Sequence, residues 1–387
     1  MPILNAAETI APEATEWRRH LHAHPELMYD VHETARFVAG KLREFGCDEV
    51  VEGIGRTGVV GLIRGARGAG GTIGLRADMD ALPITEATGV PHASKTPGKM
   101  HACGHDGHTA MLLGAAKHLS ETRNFSGAVA VIFQPAEEGG AGGKAMLDDG
   151  MMDRFGIEEV YGMHNMPGLP VGEFSIRPGP IMAATDEFTI HVEGRGSHAA
   201  QPHRSVDPIV VGAHLVTALQ TIASRNVDPI QSVVVTVTKF QAGTAYNVIP
   251  ETALIAGTFR TLDADVREQT GRRLKEICEG VGSAMGARIR VDHRVNYPVT
   301  VNHAAETGHA IATAREVAGA GAVEPSTPPV MGGEDFSYML ESRPGAFIFV
   351  GNGDTAPLHH PAYDFSDAAI PHGVSYWVRL AERRLAA

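Results

Sequence analysis

Four short segments of this chain concentrate side chains that bind metals and move protons. The first is Met100-His101-Ala102-Cys103-Gly104-His105-Asp106-Gly107-His108, where a thiol and imidazoles recur at close spacing. The second, Gln134-Pro135-Ala136-Glu137-Glu138-Gly139, sets two carboxylates at the end of an apolar run. The third is Gly162-Met163-His164-Asn165 and the fourth Leu358-His359-His360-Pro361. Each has a plainer reading when taken singly. A lone cysteine is ordinarily a small core hydrophobe, which is the expectation for Cys47 and Cys278. A lone His164 is ordinarily structural, and a Glu-Glu pair is ordinarily solvated surface. The coincidence of four such segments is what points to a metal site.

Imidazole, thiolate and carboxylate together suit zinc, manganese, cobalt or nickel, and not magnesium or calcium. Five protein ligands exceed one open catalytic site and fall short of two separate ones. Two divalent ions sharing a side chain and a water, about 3.5–4 Å apart, would use them, and Cys103 is the candidate for the bridging side chain. Successive residues of extended chain point to opposite sides. One carboxylate of the Glu137-Glu138 pair can therefore bind metal while the other takes the water's proton and later delivers it to a leaving amine. A protein that only bound metal or ligand would have no use for that second carboxylate.

The elements that must hold these groups read as α/β. Residues 31–45 have the pattern of an amphipathic helix stopped by Gly46, and 107–121 that of a second helix. Strand-like runs occupy 57–63, 72–76, 127–133 and 157–163. Strands separated by helices in this way predict a largely parallel central sheet. Functional groups of such sheets gather outside the carboxyl ends of the strands, where three of the four segments are expected. The glycine-rich stretch 64–71 lacks the GK[ST] ending of a phosphate cradle and precedes a strand; a hairpin loop is expected there. The middle of the chain differs. Strand patterns at 185–193, 232–240, 251–260 and 287–295, with helical patterns at 206–224 and 264–284, follow the order β-α-β-β-α-β of a ferredoxin-like unit. The organisation predicted is a discontinuous catalytic domain, 1–184 and 298–387, carrying an inserted domain at 185–297.

Bulk properties narrow the partners. With 387 residues, two domains are expected. A formal charge of −12 argues against nucleic acid or an anionic membrane, since both attract basic surfaces. No stretch approaches the roughly 20 apolar residues of a membrane span. The opening MPILNAAETIAPEATEWRR places acids where an export signal needs an apolar run. Three cysteines do not make a disulfide framework. A cytoplasmic protein is the expectation.

Longer motifs now carry a resemblance. LRADMDALP (75–83), MHACGHDGHT (100–109), QPAEEG (134–139) and GMHN (162–165) resemble the di-metal aminoacylase and carboxypeptidase family. GRGSHAAQPH (194–203), AYNVIPE (245–251), GGEDFSYM (332–339) and LHHPAYDF (358–365) extend the match, in order, over nearly the whole chain. The more similar subgroup contains hippurate hydrolase, N-acetyl-amino-acid deacetylases and indole-acetyl-amino-acid hydrolases. The resemblance implies Cys103, His105, Glu138, His164 and His359 as metal ligands and Glu137 as the base. It implies hydrolysis of the amide bond of a small N-acyl amino acid, with a dipeptidase or carboxypeptidase as the alternative on the same scaffold. It further implies that the inserted domain acts as lid and dimerises the protein, as a homodimer or a tetramer. His198 would then reach the partner's active site and support the oxyanion. Asn247 and Arg260 match positions used near substrate, and Asp80 matches a residue that orients a ligand.

Overall fold

A computed structural model describes residues 4–386. The chain divides into two compact units. One takes in the chain up to Ile181, Thr300–Pro328 and the chain from Asp335 onward; the other comprises Met182–Val299 with Pro329–Glu334.

In chain order the elements that matter are α1 (Asn5–Ala23), α2 (His32–Glu44), β1 (Glu49–Ile54), β2 (Gly58–Arg64), β3 (Thr72–Asp78), α3 (His105–Thr122), β4 (Ala128–Gln134), β5 (Ile157–Pro167) and β6 (Phe174–Ser175). Next come β7 (Ala184–Glu193), α4 (Pro208–Leu219), β8 (Val233–Ala242), β9 (Thr252–Thr261), α5 (Ala264–Met285) and β10 (Arg288–Val295). Finally come β11 (Val323–Glu324), β12 (Gly345–Gly353) and α6 (Ile370–Arg384).

The first unit is built on an eight-stranded mixed sheet in the order β1-β2-β4-β3-β5-β12-β6-β11. Its centre, β4-β3-β5-β12, is parallel, and antiparallel pairs flank it on both sides. Strands buried on both faces read as unbroken apolar runs, and β4 (AVAVIFQ) is buried from end to end. One expectation is corrected here. Segment 64–71 is no hairpin loop, because β2 and β3 are not neighbours; β4 lies between them, antiparallel to β2 and parallel to β3. Local composition marks a turn but says nothing of a strand that begins far downstream, at Ala128.

Helix α3 is the chief support of the candidate site. Almost wholly buried, with an unbroken run of small and apolar residues from Ala110 to Ala116, it packs against α1, α6 and β3. Gly104 caps it at φ +88°, a conformation that costs glycine little.

The second unit runs β7-α4-β8-β9-α5-β10 and forms an antiparallel four-stranded sheet in the order β8-β9-β7-β10. Strand β9 alternates buried and more exposed residues along its length, the pattern of a sheet covered on one face. Both helices are capped by aspartates: Asp207 accepts from the Ile209 and Val210 amides, and Asp263 from those of Asp265 and Val266. Among the described residues, no helix is long and apolar enough to cross a membrane.

Candidate metal centre

The site is assembled from the carboxyl ends of the parallel strands of the first unit. Strand β4 ends at Gln134, and Ala136 turns the chain through φ +54°, so that Glu137 and Glu138 follow. Their amides are held by one buried carboxylate: Asp80 Oδ1 accepts from the Glu137 N–H at 2.9 Å, and Asp80 Oδ2 from the Glu138 N–H at 3.1 Å. The backbone carbonyl of Asp80 accepts the Nδ1–H of His105 at 2.7 Å. A single residue just past β3 thus fixes both the acidic loop and the first imidazole.

Ring orientation follows from which nitrogen is spent. His105 uses Nδ1 on that carbonyl, so Nε2 faces the cluster, buried and without a hydrogen-bond partner. His164 donates Nδ1–H to its neighbour's carbonyl at 2.7 Å, leaving Nε2 3.4 Å from Cys103 Sγ. His359 sits at φ +65° with its N–H bonded to the Ala102 carbonyl at 2.7 Å, and its Nε2 lies 3.3 Å from Glu138 Oε1. A non-glycine residue in this region carries strain of order 1–3 kcal/mol, which tends to collect at functional sites. Of the neighbouring pair it is His359 that faces Glu138; His360 is exposed and accepts from the Ala362 amide.

Of five groupings of potential ligand atoms among the described residues, two are the triads Cys103-His105-His164 and Cys103-Glu138-His359, and two others include Glu137; the atoms of each lie within 4.8 Å of one another. Cys103 belongs to both triads. The carboxylate of Glu137 borders them, 4.0 Å from His105 Nε2, as does Glu138 at 3.9 Å. A further grouping, Asp78-His105-His108, does not have the chemistry of a ligand set. His108 donates Nδ1–H to Asp78 at 2.6 Å and accepts the Asn165 N–H at Nε2, so no lone pair is left over.

The electrostatics fit a cation. Burial pushes the Cys103 thiol up, and Glu138, Glu137 and Asp78 push it further. Burial alone would lower His105, but Asp78, Asp80 and Glu138 prevail and raise it to about 10. Burial likewise opposes ionisation of Glu138, yet His359 and His105 hold it below the usual carboxylate range. Crowded carboxylates beside a protonated thiol are what a divalent ion relieves, since a coordinating thiol loses its proton outright. His105 Nε2 is buried without a hydrogen-bond partner. A buried polar atom of this kind calls for a partner, and a metal ion would supply one.

The other expected residues lie in the second unit. His198 is exposed, paired through its backbone with Val248, and its Nδ1 accepts from the Ala200 amide at 3.1 Å. The carbonyl of Asn247 accepts from the Ala199 amide at 3.0 Å, so His198 and Asn247 stand side by side. Arg260, on β9, is half-buried and bonds the Phe259 carbonyl and the Thr258 hydroxyl.

Sequence reading missed the buried ionic cluster behind the metal loop. Arg18 Nε lies 2.8 Å from Asp106 Oδ2, and Arg18 also pairs with Asp364; His22 Nδ1 bonds the same Asp106 oxygen at 2.8 Å. Burial would lower His22, but Asp106 outweighs it and raises the imidazole to about 9. The available signal was the i,i+4 placement of Arg18 and His22 on the buried stripe of α1 (Ile10, Ala14, Trp17, Leu21).

Comparison with known proteins agrees with this chemistry. The model of "Peptidase family M20/M25/M40" matches residues 74–383. The hippurate hydrolase of Campylobacter jejuni is 43% identical over 368 residues, 95% of either chain. The N-acetyl-L-cysteine deacetylase of Bacillus subtilis is 44% identical over 369 residues, 95% of this chain and 87% of the relative. A thermostable carboxypeptidase of Saccharolobus solfataricus is 40% identical over 360 residues, covering 91% of this chain and 90% of the relative. Among solved structures, a dinuclear metal-binding peptidase of the M20 family from Bacillus subtilis superposes with a TM-score of 0.85 at 34% identity, covering 98% of this chain and 99% of that one. This chain therefore belongs to peptidase family M20/M25/M40 and is a metal-dependent amidohydrolase.

Proposed function

We propose that the protein hydrolyses the amide bond of N-acyl amino acids with two divalent ions per chain, releasing a carboxylic acid and an amino acid. The observation that carries this reading is the pair of triads meeting at Cys103, with Glu137 beside them. Cys103, His105 and His164 would hold one ion, and Cys103, Glu138 and His359 the other, as zinc, manganese, cobalt or nickel. When bound, such a pair would supply Lewis-acid polarisation and acidify the attacking water. Glu137 takes that water's proton and passes it to the departing amine, one carboxylate serving as base and then as acid. Asp80 keeps the backbone of Glu137 and Glu138 in register through their amides.

The second unit is read as a ferredoxin-like lid and dimerisation domain, on the strand order given above. Apolar side chains left exposed there, among them Ile209 and Val210 on α4 and Val234 and Phe240 on the edge strand β8, support self-association, since an open apolar edge invites a partner. In that dimer His198 of one protomer would stabilise the oxyanion formed in the site of the other, with Asn247 and Arg260 binding substrate.

Preference for N-acyl amino acids over peptides rests on the hydrolase and deacetylase relatives; the carboxypeptidase relative favours the second reading, cleavage of a peptide at its carboxyl end. A panel of hippurate, N-acetyl-methionine and a dipeptide, assayed for free amine after chelation and again after metal addition, separates them. Metal-dependent cleavage of the acyl amino acids ahead of the dipeptide is expected. Preferential cleavage of the dipeptide would transfer the assignment to the carboxypeptidase reading.

A further inference from the structure

We infer that Asn165 is a positioning residue that sets the spacing between Cys103 and His164. The inference rests on the metal-centre reading above and adds to it a residue that would touch neither metal nor substrate. Asn165 is fully buried and spends every polar group it has. Its N–H donates to His108 Nε2 at 2.9 Å, and its carbonyl accepts the Nδ1–H of His164 at 2.7 Å. Its side-chain Nδ2 donates to the Cys103 carbonyl at 2.6 Å, and its Oδ1 accepts from the Tyr363 hydroxyl at 2.8 Å. The Cys103 carbonyl can only accept, so the amide has one orientation. The two residues nearest the shared end of the site are therefore tied to one asparagine, His164 by its ring and Cys103 by its backbone.

That asparagine is itself braced. His108 accepts from it because its other nitrogen is committed to Asp78, and Asp78 is held by Arg76 Nη1 at 2.7 Å. The loop is pressed onto it from the other side. A Cβ added at Gly104 would lie 2.3 Å from Asn165 Nδ2 and 2.5 Å from Tyr363 Oη. Such closeness lets a hydrogen bond, and not loop stiffness alone, dictate where Cys103 Sγ stands relative to His164 Nε2. Partners of this kind typically change metal affinity by about 10–100-fold when removed.

The test uses cobalt as probe, with affinity measured by chelator competition and the thiolate-to-cobalt absorption as signature of Cys103 ligation. Asn165→Ser is expected to bind cobalt about 10–100-fold more weakly, with a displaced or diminished thiolate band. Tyr363→Phe, which deletes one hydroxyl, should shift both readouts the same way by less. A purely structural role would lower the melting temperature and leave affinity and band alone; that outcome in both variants overturns the inference. Should Asn165→Ser not fold, Tyr363→Phe decides by the same criteria, and wild-type affinity with an unchanged band overturns it. Wild-type protein that bound no cobalt at all would overturn the metal-centre reading, and this inference with it.

Discussion

Glu137→Gln is expected to lower turnover by about 10²–10⁴-fold while leaving metal content and folding intact. The substitution keeps size and shape, and the Glu137 amide stays bonded to Asp80 Oδ1. What it removes is a carboxylate able to accept a proton. The neighbouring change should behave differently. Glu138 Oε1 is a member of the Cys103-Glu138-His359 triad, so Glu138→Gln should reduce metal content first and activity as a consequence. Elemental analysis and steady-state kinetics on the two purified variants distinguish them. Full loss of metal in Glu137→Gln, with retention in Glu138→Gln, would reverse the division of roles.

The second large effect is expected at His198, where loss of an oxyanion donor should cost about 10²–10³-fold. Two inactive variants should also rescue one another. If each site uses Glu137 of its own chain and His198 of the partner subunit, a hybrid of Glu137→Gln with His198→Ala concentrates both lesions in one site. The other site then has both groups intact. Co-expressed chains with different tags, purified through both, should regain activity far above either parent. Were His198 to serve its own chain, each hybrid site would keep one lesion. Confirmed hybrids no more active than the parents would refute catalysis in trans.

What could be read from the sequence was governed by locality. The strands of the first unit are legible because burial on both faces demands continuous apolar runs, and those of the second because burial on one face demands alternation. The insertion of β4 between β2 and β3 is a non-local pairing, and the hairpin expected at 64–71 failed for that reason. Site chemistry divides in the same way. The ligand types and their four segments stand out by composition, and the fold draws them together. The direction each ring faces does not stand out. His105 and His108 are one helical turn apart, yet one presents an open nitrogen and the other has none, a difference made by Asp80, Asp78 and Asn165. The turns at Ala136 and His359 carry positive φ without glycine to announce it. Arg18 and His22 were hidden because a buried charged pair looks like a polar interruption of an amphipathic helix until Asp106 is seen opposite it.

The claim of two ions sharing Cys103 is tested most directly by counting metal against activity. Protein stripped by a chelator should be inactive. As manganese, cobalt or zinc is returned in measured steps, activity should rise until two ions per chain are bound, and elemental analysis of the fully active protein should give that ratio. Full activity with only a trace of metal, or a plateau at one ion per chain, would contradict the account.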